Sequence, residues 1–136
     1  MAKTLAIVFG AVFVLVAVLG FLATPLVGAT GIFQTDMLHD VVHLIVGLVL
    51  LYVGLKMPES SATWLQVFGV IYLLLAVLGF LTISGGGKLL GLVTMNTADH
   101  WLHLVLGIVL IVAGRCCTGS SSPVVMSSPN GNSSMM

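Results

Sequence analysis

All four histidines of this chain fall in two short stretches, and three of its four acidic residues fall there with them. "TDMLHDVVHLIVG" carries Asp36, His39, Asp40 and His43, and "NTADHWLHL" carries Asp99, His100 and His103. His39 and His43 are four residues apart, the spacing that puts two side chains on one face of a helix. Two such imidazoles, joined by a third from another segment, form a donor set suited to a transition metal ion or a haem iron. The candidate ligands are His39, His43 and His103, with Asp99 as ligand or orienter and with Asp40 and His100 as supporting groups around them. Asp40 precedes His43 by three residues and Asp99 precedes His103 by four, so each deeper histidine has a carboxylate within reach on its own helix. A carboxylate so placed would fix the imidazole tautomer, whether for a metal, a proton relay or a buried ion pair. A plainer account covers part of the cluster. Asp36 and Asn96 stand immediately before apolar runs and suit helix N-caps, and Asp99 then falls where a capping box places a carboxylate.

The elements that hold these residues are apolar throughout. Of 136 residues, 59% are hydrophobic and 6% charged, with no net charge, a composition that belongs to integral membrane proteins. Leu5 to Val27 contains no charged residue and exceeds the roughly 20 residues a bilayer core requires; it is also longer than a signal-peptide core. Trp64 to Ile83 is a second uncharged span, and Met37 to Leu55 and Ala98 to Gly114 are spans with polar N-terminal ends. The fold class expected is all-α, a bundle of four transmembrane helices occupying residues 1–115. Residues 116–136, rich in Ser, Gly, Pro and Asn, are expected to be a disordered tail, and Cys116 and Cys117 at its start lack the spacing of a metal or redox motif.

The chain also repeats itself. "VFGAVFVLVAVLGFL" from Val8 returns as "VFGVIYLLLAVLGFL" from Val67, and "LHDVVHLIVGLVLLYVG" is matched by "ADHWLHLVLGIVLIVAG". Residues of about 5–55 and 64–114 thus form two tandem two-helix repeats. In this register His43 corresponds to His103, Gly47 to Gly107 and Gly54 to Gly114, while His39 meets Asp99 and Asp40 meets His100. Two helices per repeat make both halves enter the membrane in one direction, so both polar stretches lie at the same face. Lys3, Lys56 and Arg115 lie on one side and Lys88 alone on the other, which assigns both termini to the cytoplasm and the polar cluster to the outer face. The glycines Gly47, Gly54, Gly107 and Gly114 continue the histidine stripes and are expected to let helices approach closely. The outer connections, "TPLVGATGIFQT" and "SGGGKLLGLVTM", are apolar for loops and suit segments folded over the bundle mouth.

With "LHDVVHLIVG" and "LVTMNTADHWLHL" in these positions, the sequence resembles a bacterial family of small four-helix membrane proteins, domain of unknown function 4383, over nearly the whole chain up to about Gly114. His39 and His43 match that family's first motif, and Asn96, Ala98, Asp99, Trp101 and His103 match its second. Asp40 stands where the family usually has Asn, and His100 where it usually has an apolar residue. The resemblance implies a topology and no activity.

Nothing in the chain resembles a nucleophile with its base, a phosphate loop or a dinucleotide fingerprint, so no enzyme is expected, and there is no basic patch for nucleic acid. The expected partners are the lipid bilayer of the cell (plasma) membrane, crossed in several passes, and a second copy or another membrane protein. The leading reading is a structural or accessory membrane protein with no cofactor, whose histidines and carboxylates tie helices 2 and 4 together. A metal- or haem-binding protein is the alternative, and a small transporter or proton-linked permease subunit the second alternative.

Overall fold

The computed structural model describes residues 1–117, so the expectation of a disordered tail concerns residues that, from 118 onward, lie outside it. Four helices dominate: α1 (Ala2–Phe21), α2 (Met37–Lys56), α3 (Ser61–Thr82) and α4 (Thr97–Cys116). Each is long and apolar enough to cross a membrane. Their outward faces carry large apolar side chains such as Leu15, Ile45, Leu74 and Val105, each more than half exposed, a distribution that suits lipid rather than water.

The first helix ends six residues before the expected Val27. Ala23 adopts a left-handed conformation (φ 50°), its N–H donates to Gly20 O at 2.9 Å, and the Thr24 N–H reaches back to Leu19 O at 3.3 Å. This pattern closes a helix, and Pro25 then prevents its resumption. Met57 leaves the helical region because it precedes Pro58, and a single 3-10 turn at Pro58–Ser60 leads directly into α3.

The two longer connections contain short strands that an all-helical expectation did not include. In the first, β1 (Val27–Gly28) and β2 (Phe33–Gln34) form a two-residue parallel clasp. In the second, β3 (Gly87–Leu89) and β4 (Val93–Met95) form an antiparallel hairpin whose turn places Gly91 at φ 73°. Val27, Leu89 and Met95 are buried, so both connections fold inward over the end of the bundle.

α1 packs along α2 and α3 along α4, giving two tight antiparallel hairpins with looser contact between them. Glycine permits the tightness. A Cβ on Gly10 would lie 2.9 Å from Gly47 O, and one on Gly47 would lie 2.9 Å from Gly10 O; Gly69 and Gly107 repeat the arrangement at the same 2.9 Å. Gly54 meets the Lys3 carbonyl and Gly114 the Ala62 carbonyl near the opposite end. The glycines of α2 and α4 therefore serve the contact within each hairpin, to α1 and α3, rather than a contact between α2 and α4. In lipid, where apolar side chains gain little from leaving the solvent, such backbone proximity and its dispersion contacts are what hold helices together. Between the hairpins the centre is filled by Phe13, Leu50, Leu65, Phe68, Tyr72 and Leu110.

Gly47→Ala would drive a methyl group into the backbone of α1, and overpacking of this kind costs about 1–3 kcal/mol. A lowered melting temperature in detergent is expected for Gly47→Ala and for Gly107→Ala, whereas Gly85→Ala, with nothing within 4 Å of the added carbon, serves as the neutral control. Equal melting of all three variants would contradict the packing described.

Candidate functional site

α2 and α4 begin beneath the two connections, and their first turns are built alike. Asp36 caps α2, its Oδ1 accepting from His39 N at 3.0 Å, and Asn96 caps α4, its Oδ1 accepting from Asp99 N at 3.0 Å. Asp99 completes a capping box through Oδ2, which accepts from Asn96 N at 2.7 Å. Each cap also reaches the other half. Asp36 Oδ2 accepts from both the backbone N–H (2.9 Å) and the hydroxyl (2.7 Å) of Thr94 in β4. In return Asn96 Nδ2 donates to Ile32 O at 2.8 Å, and Gln34 N in β2 donates to Asp99 Oδ2 at 3.0 Å.

This network brings three imidazoles together. His39, His43 and His103 are all buried, and one ring nitrogen from each can be chosen so that the three lie within 4.8 Å of one another. The ring centres of His39 and His43 are 4.6 Å apart, and that of His103 lies 5.8 Å from His39 and 6.1 Å from His43. His39 Nδ1 sits 2.8 Å from Thr94 O. A carbonyl can only accept, so Nδ1 carries a proton, which in the neutral ring leaves Nε2 with the lone pair, the arrangement typical of a metal-bound histidine held by its outer nitrogen. His43 Nδ1 and His103 Nδ1 are buried without a hydrogen-bond partner. They do not bridge α2 to α4 as the packing expectation required.

The supporting carboxylates take other partners. Asp99, one of the expected ligands, holds the amides of Asn96 and Gln34 through Oδ2 instead of pairing with His103. It remains beside the cluster, lining a second, smaller cavity with His43 and His103. Asp40 does not pair with His43; it packs against the bare backbone of Gly20 in α1, with Oδ1 unpartnered. His100 packs in the equivalent manner against Gly79 of α3 and sits 3.2 Å from Ile83 O through Nε2. Asp40 and His100 thus lie buried within the α1–α2 and α3–α4 hairpins, each in the space that a glycine leaves open, without a hydrogen bond to the three imidazoles.

Two residues that motif reasoning passed over complete the site. Tyr72 of α3 is 2% exposed, its hydroxyl has no partner, and its ring centre is 5.1 Å from that of His103. It corresponds in the repeat to Phe13, so the signal was a hydroxyl present in only one of two near-identical helices. Met95 of β4 is fully buried, and with Tyr72 and the three histidines it lines a cavity of about 270 Å³ whose remaining walls are apolar. Cys116 and Cys117, free thiols at the far end of α4, take no part.

The chain belongs to the family of domain of unknown function 4383 (DUF4383), whose sequence profile matches residues 3–116. Neither a search of curated proteins nor one of solved structures found a match.

Asp36 supplies a test of the network outside the helices. Partial burial pushes its carboxyl up, but the hydrogen bonds from Thr94 and from the His39 amide, with the charge of Lys88, outweigh burial and hold it below the ordinary 3.8. A folded-state value below the unfolded one stabilises the fold above the unfolded value and loses that contribution as pH falls through the folded one. Asn caps a helix about as well as Asp. Asn can still cap α2 through Oδ1, but its Nδ2 cannot accept from Thr94, so Asp36→Asn is expected to melt below wild type at pH 6 and the gap to narrow as pH falls below about 3.8. Parallel melting curves for the two proteins across that range would show that Asp36 carries no such load.

Proposed function

We propose that this protein is a multi-pass membrane protein that binds a transition metal ion through His39, His43 and His103. The observation that carries the reading is the convergence of three buried ring nitrogens within 4.8 Å, drawn from two helices. Metal–imidazole bonds of about 2.0–2.1 Å would require these nitrogens to close in by a small movement of side chains. An ion held through Nδ1 of His43 and His103 would give those nitrogens the partners they lack, and burying such groups unpartnered is unfavourable. Convergence on one point favours a single ion over a haem, whose axial positions lie on opposite faces of a flat ring. The packing role expected first from the sequence retains support from the capping network, which ties the two halves together without needing any of the ring nitrogens that converge.

The same reading takes the chain as two copies of one two-helix unit related by an axis along the membrane normal. The matched glycine contacts and the matched caps support this. With Lys3, Lys56 and Arg115 at one end and Lys88 at the other, both termini are cytoplasmic and the histidines lie toward the outer face of the plasma membrane. We take the role to be binding rather than catalysis, exercised by a copy of the chain alone or beside another membrane protein.

In detergent, zinc or copper ions are expected to raise the melting temperature of the wild type by an amount that grows with ion concentration. His43→Ala and His103→Ala should each abolish the rise. A rise that persists in both variants, or none in the wild type, would return the cluster to a packing role.

Topology is separable from metal binding. With Cys116 and Cys117 changed to Ser, a cysteine placed beside Lys88 is expected to react with an impermeant maleimide in intact cells, and one beside Lys56 only after lysis. The opposite pattern would put the histidines at the cytoplasmic face.

A further inference from the structure

The cavity beside the three imidazoles has one more soft donor. Val93 and Met95 alternate with Thr94 along β4, so their side chains share a face, and both line the cavity with His39, His43 and His103. Thr94, between them, fixes the His39 ring through its carbonyl, which anchors this strand directly beside the histidines. Met95 is 1% exposed, so its thioether lies inside the protein rather than against lipid.

We propose that the ion held by His39, His43 and His103 is monovalent copper, with the Met95 thioether as its fourth donor. The inference rests on the metal-binding reading and specifies it. Three physical observations favour this ion. The donors are three imidazoles and a thioether, all neutral in the form that binds, so the ion enters with its charge uncompensated by any ligand. The desolvation penalty grows with the square of the charge, so a dication would pay roughly four times what a monocation pays in this apolar site. Secondly, no carboxylate lines the cavity with the three imidazoles: Asp36 is engaged by the His39 amide and by Thr94, Asp99 by two backbone amides, and Asp40 packs against Gly20, so none is a ligand that would neutralise a second positive charge. Thirdly, thioether sulfur is a soft donor that selects Cu(I) among biological metals, whereas imidazole alone would serve zinc, nickel or Cu(II) as well. The one competing donor is the Tyr72 hydroxyl, also buried and unpartnered, and as an oxygen ligand it would favour a harder, more highly charged ion.

The test uses the full chain in detergent with Cys116 and Cys117 changed to Ser, since adjacent free thiols would themselves take Cu(I). Cu(I), kept reduced with ascorbate, is titrated against a chromophoric Cu(I) chelator, and Zn(II) against a zinc dye. X-ray absorption at the copper edge reports the donors. Expected are tighter binding of Cu(I) than of Zn(II), and a copper spectrum with nitrogen and one sulfur neighbour. Met95→Leu, close in volume to the native side chain, should lose the sulfur and weaken Cu(I) by about tenfold or more, the low end of what even an outer partner contributes to a metal site. Its Zn(II) affinity and that of Tyr72→Phe for Cu(I) should stay within about twofold of the parent, because neither change removes a donor the respective ion uses. Zinc binding as tight as copper, a copper spectrum without sulfur, or loss of Cu(I) affinity in Tyr72→Phe rather than Met95→Leu would overturn the assignment while leaving a metal site in place. Failure of the wild type to bind either ion would remove the metal reading as a whole.

Discussion

Two helix N-termini lie beneath protein instead of water, and their free amides must find acceptors there. Asp36 and Asn96 meet this need within their own helices, and then use their remaining atoms on the opposite connection: Asp36 on Thr94, Asn96 on Ile32. Because the exchange is mutual, neither hairpin can slide along the other without breaking hydrogen bonds at both caps. Buried polar groups left half satisfied are more costly than groups never buried, so the network holds as a unit or not at all. The positions of His39 and His103 follow from it. His39 is the residue whose amide Asp36 caps, its ring is held by the same Thr94 that Asp36 grips, and His103 is carried on the helix that Asn96 starts.

The packing below the caps complements this division. Gly10 on Gly47 and Gly69 on Gly107 bring backbones into contact within each hairpin, so each hairpin is a stiff body. Between hairpins the contact relies on side chains of varied size, chiefly Phe13, Phe68 and Tyr72, which cannot fill the space as closely. Stiff halves joined loosely, with polar lashings at one end, leave a cavity where the lashings stop. The histidines line it because they continue the same helical stripes by one turn past the glycines.

Much of this was visible in the chain before any coordinates. Uncharged runs of bilayer length marked the helices, and the residues just before Met37 and Thr97 were of capping type. What escaped had physical causes. Strands of two or three residues carry no periodicity to read, so β1 to β4 look like plain loop in the sequence. The end of α1 was misplaced because Ala23 in a left-handed conformation resembles any other apolar residue in a one-letter string. Sequence spacing correctly brought Asp99 within reach of His103, and Asp40 within reach of His43, but reach does not decide between partners. Backbone amides at a helix start have no other acceptor, so they claimed Asp99; Gly20 offered Asp40 a vacant flank, and the carboxylate packed there.

Near-identity of the halves also explains where the chemistry had to arise. Two like halves would supply the proposed ligands in pairs, and His43 and His103 occupy matching places in the repeated sequence. A third imidazole can come only from a position at which the halves differ, and His39, opposite Asp99 in the other half, is one. Tyr72 opposite Phe13 and Met95 opposite Thr35 are two more, and these three differences face the same cavity. Differences spread at random over two otherwise similar helix pairs would fall mostly on lipid-facing positions, where exchange of one apolar residue for another changes little. Those that instead gather nitrogen, oxygen and sulfur around one enclosed space alter what that space can hold. On the proposed reading the repeat would provide the frame and the first two ligands, and the departures from it at His39, Tyr72 and Met95 would make the frame selective.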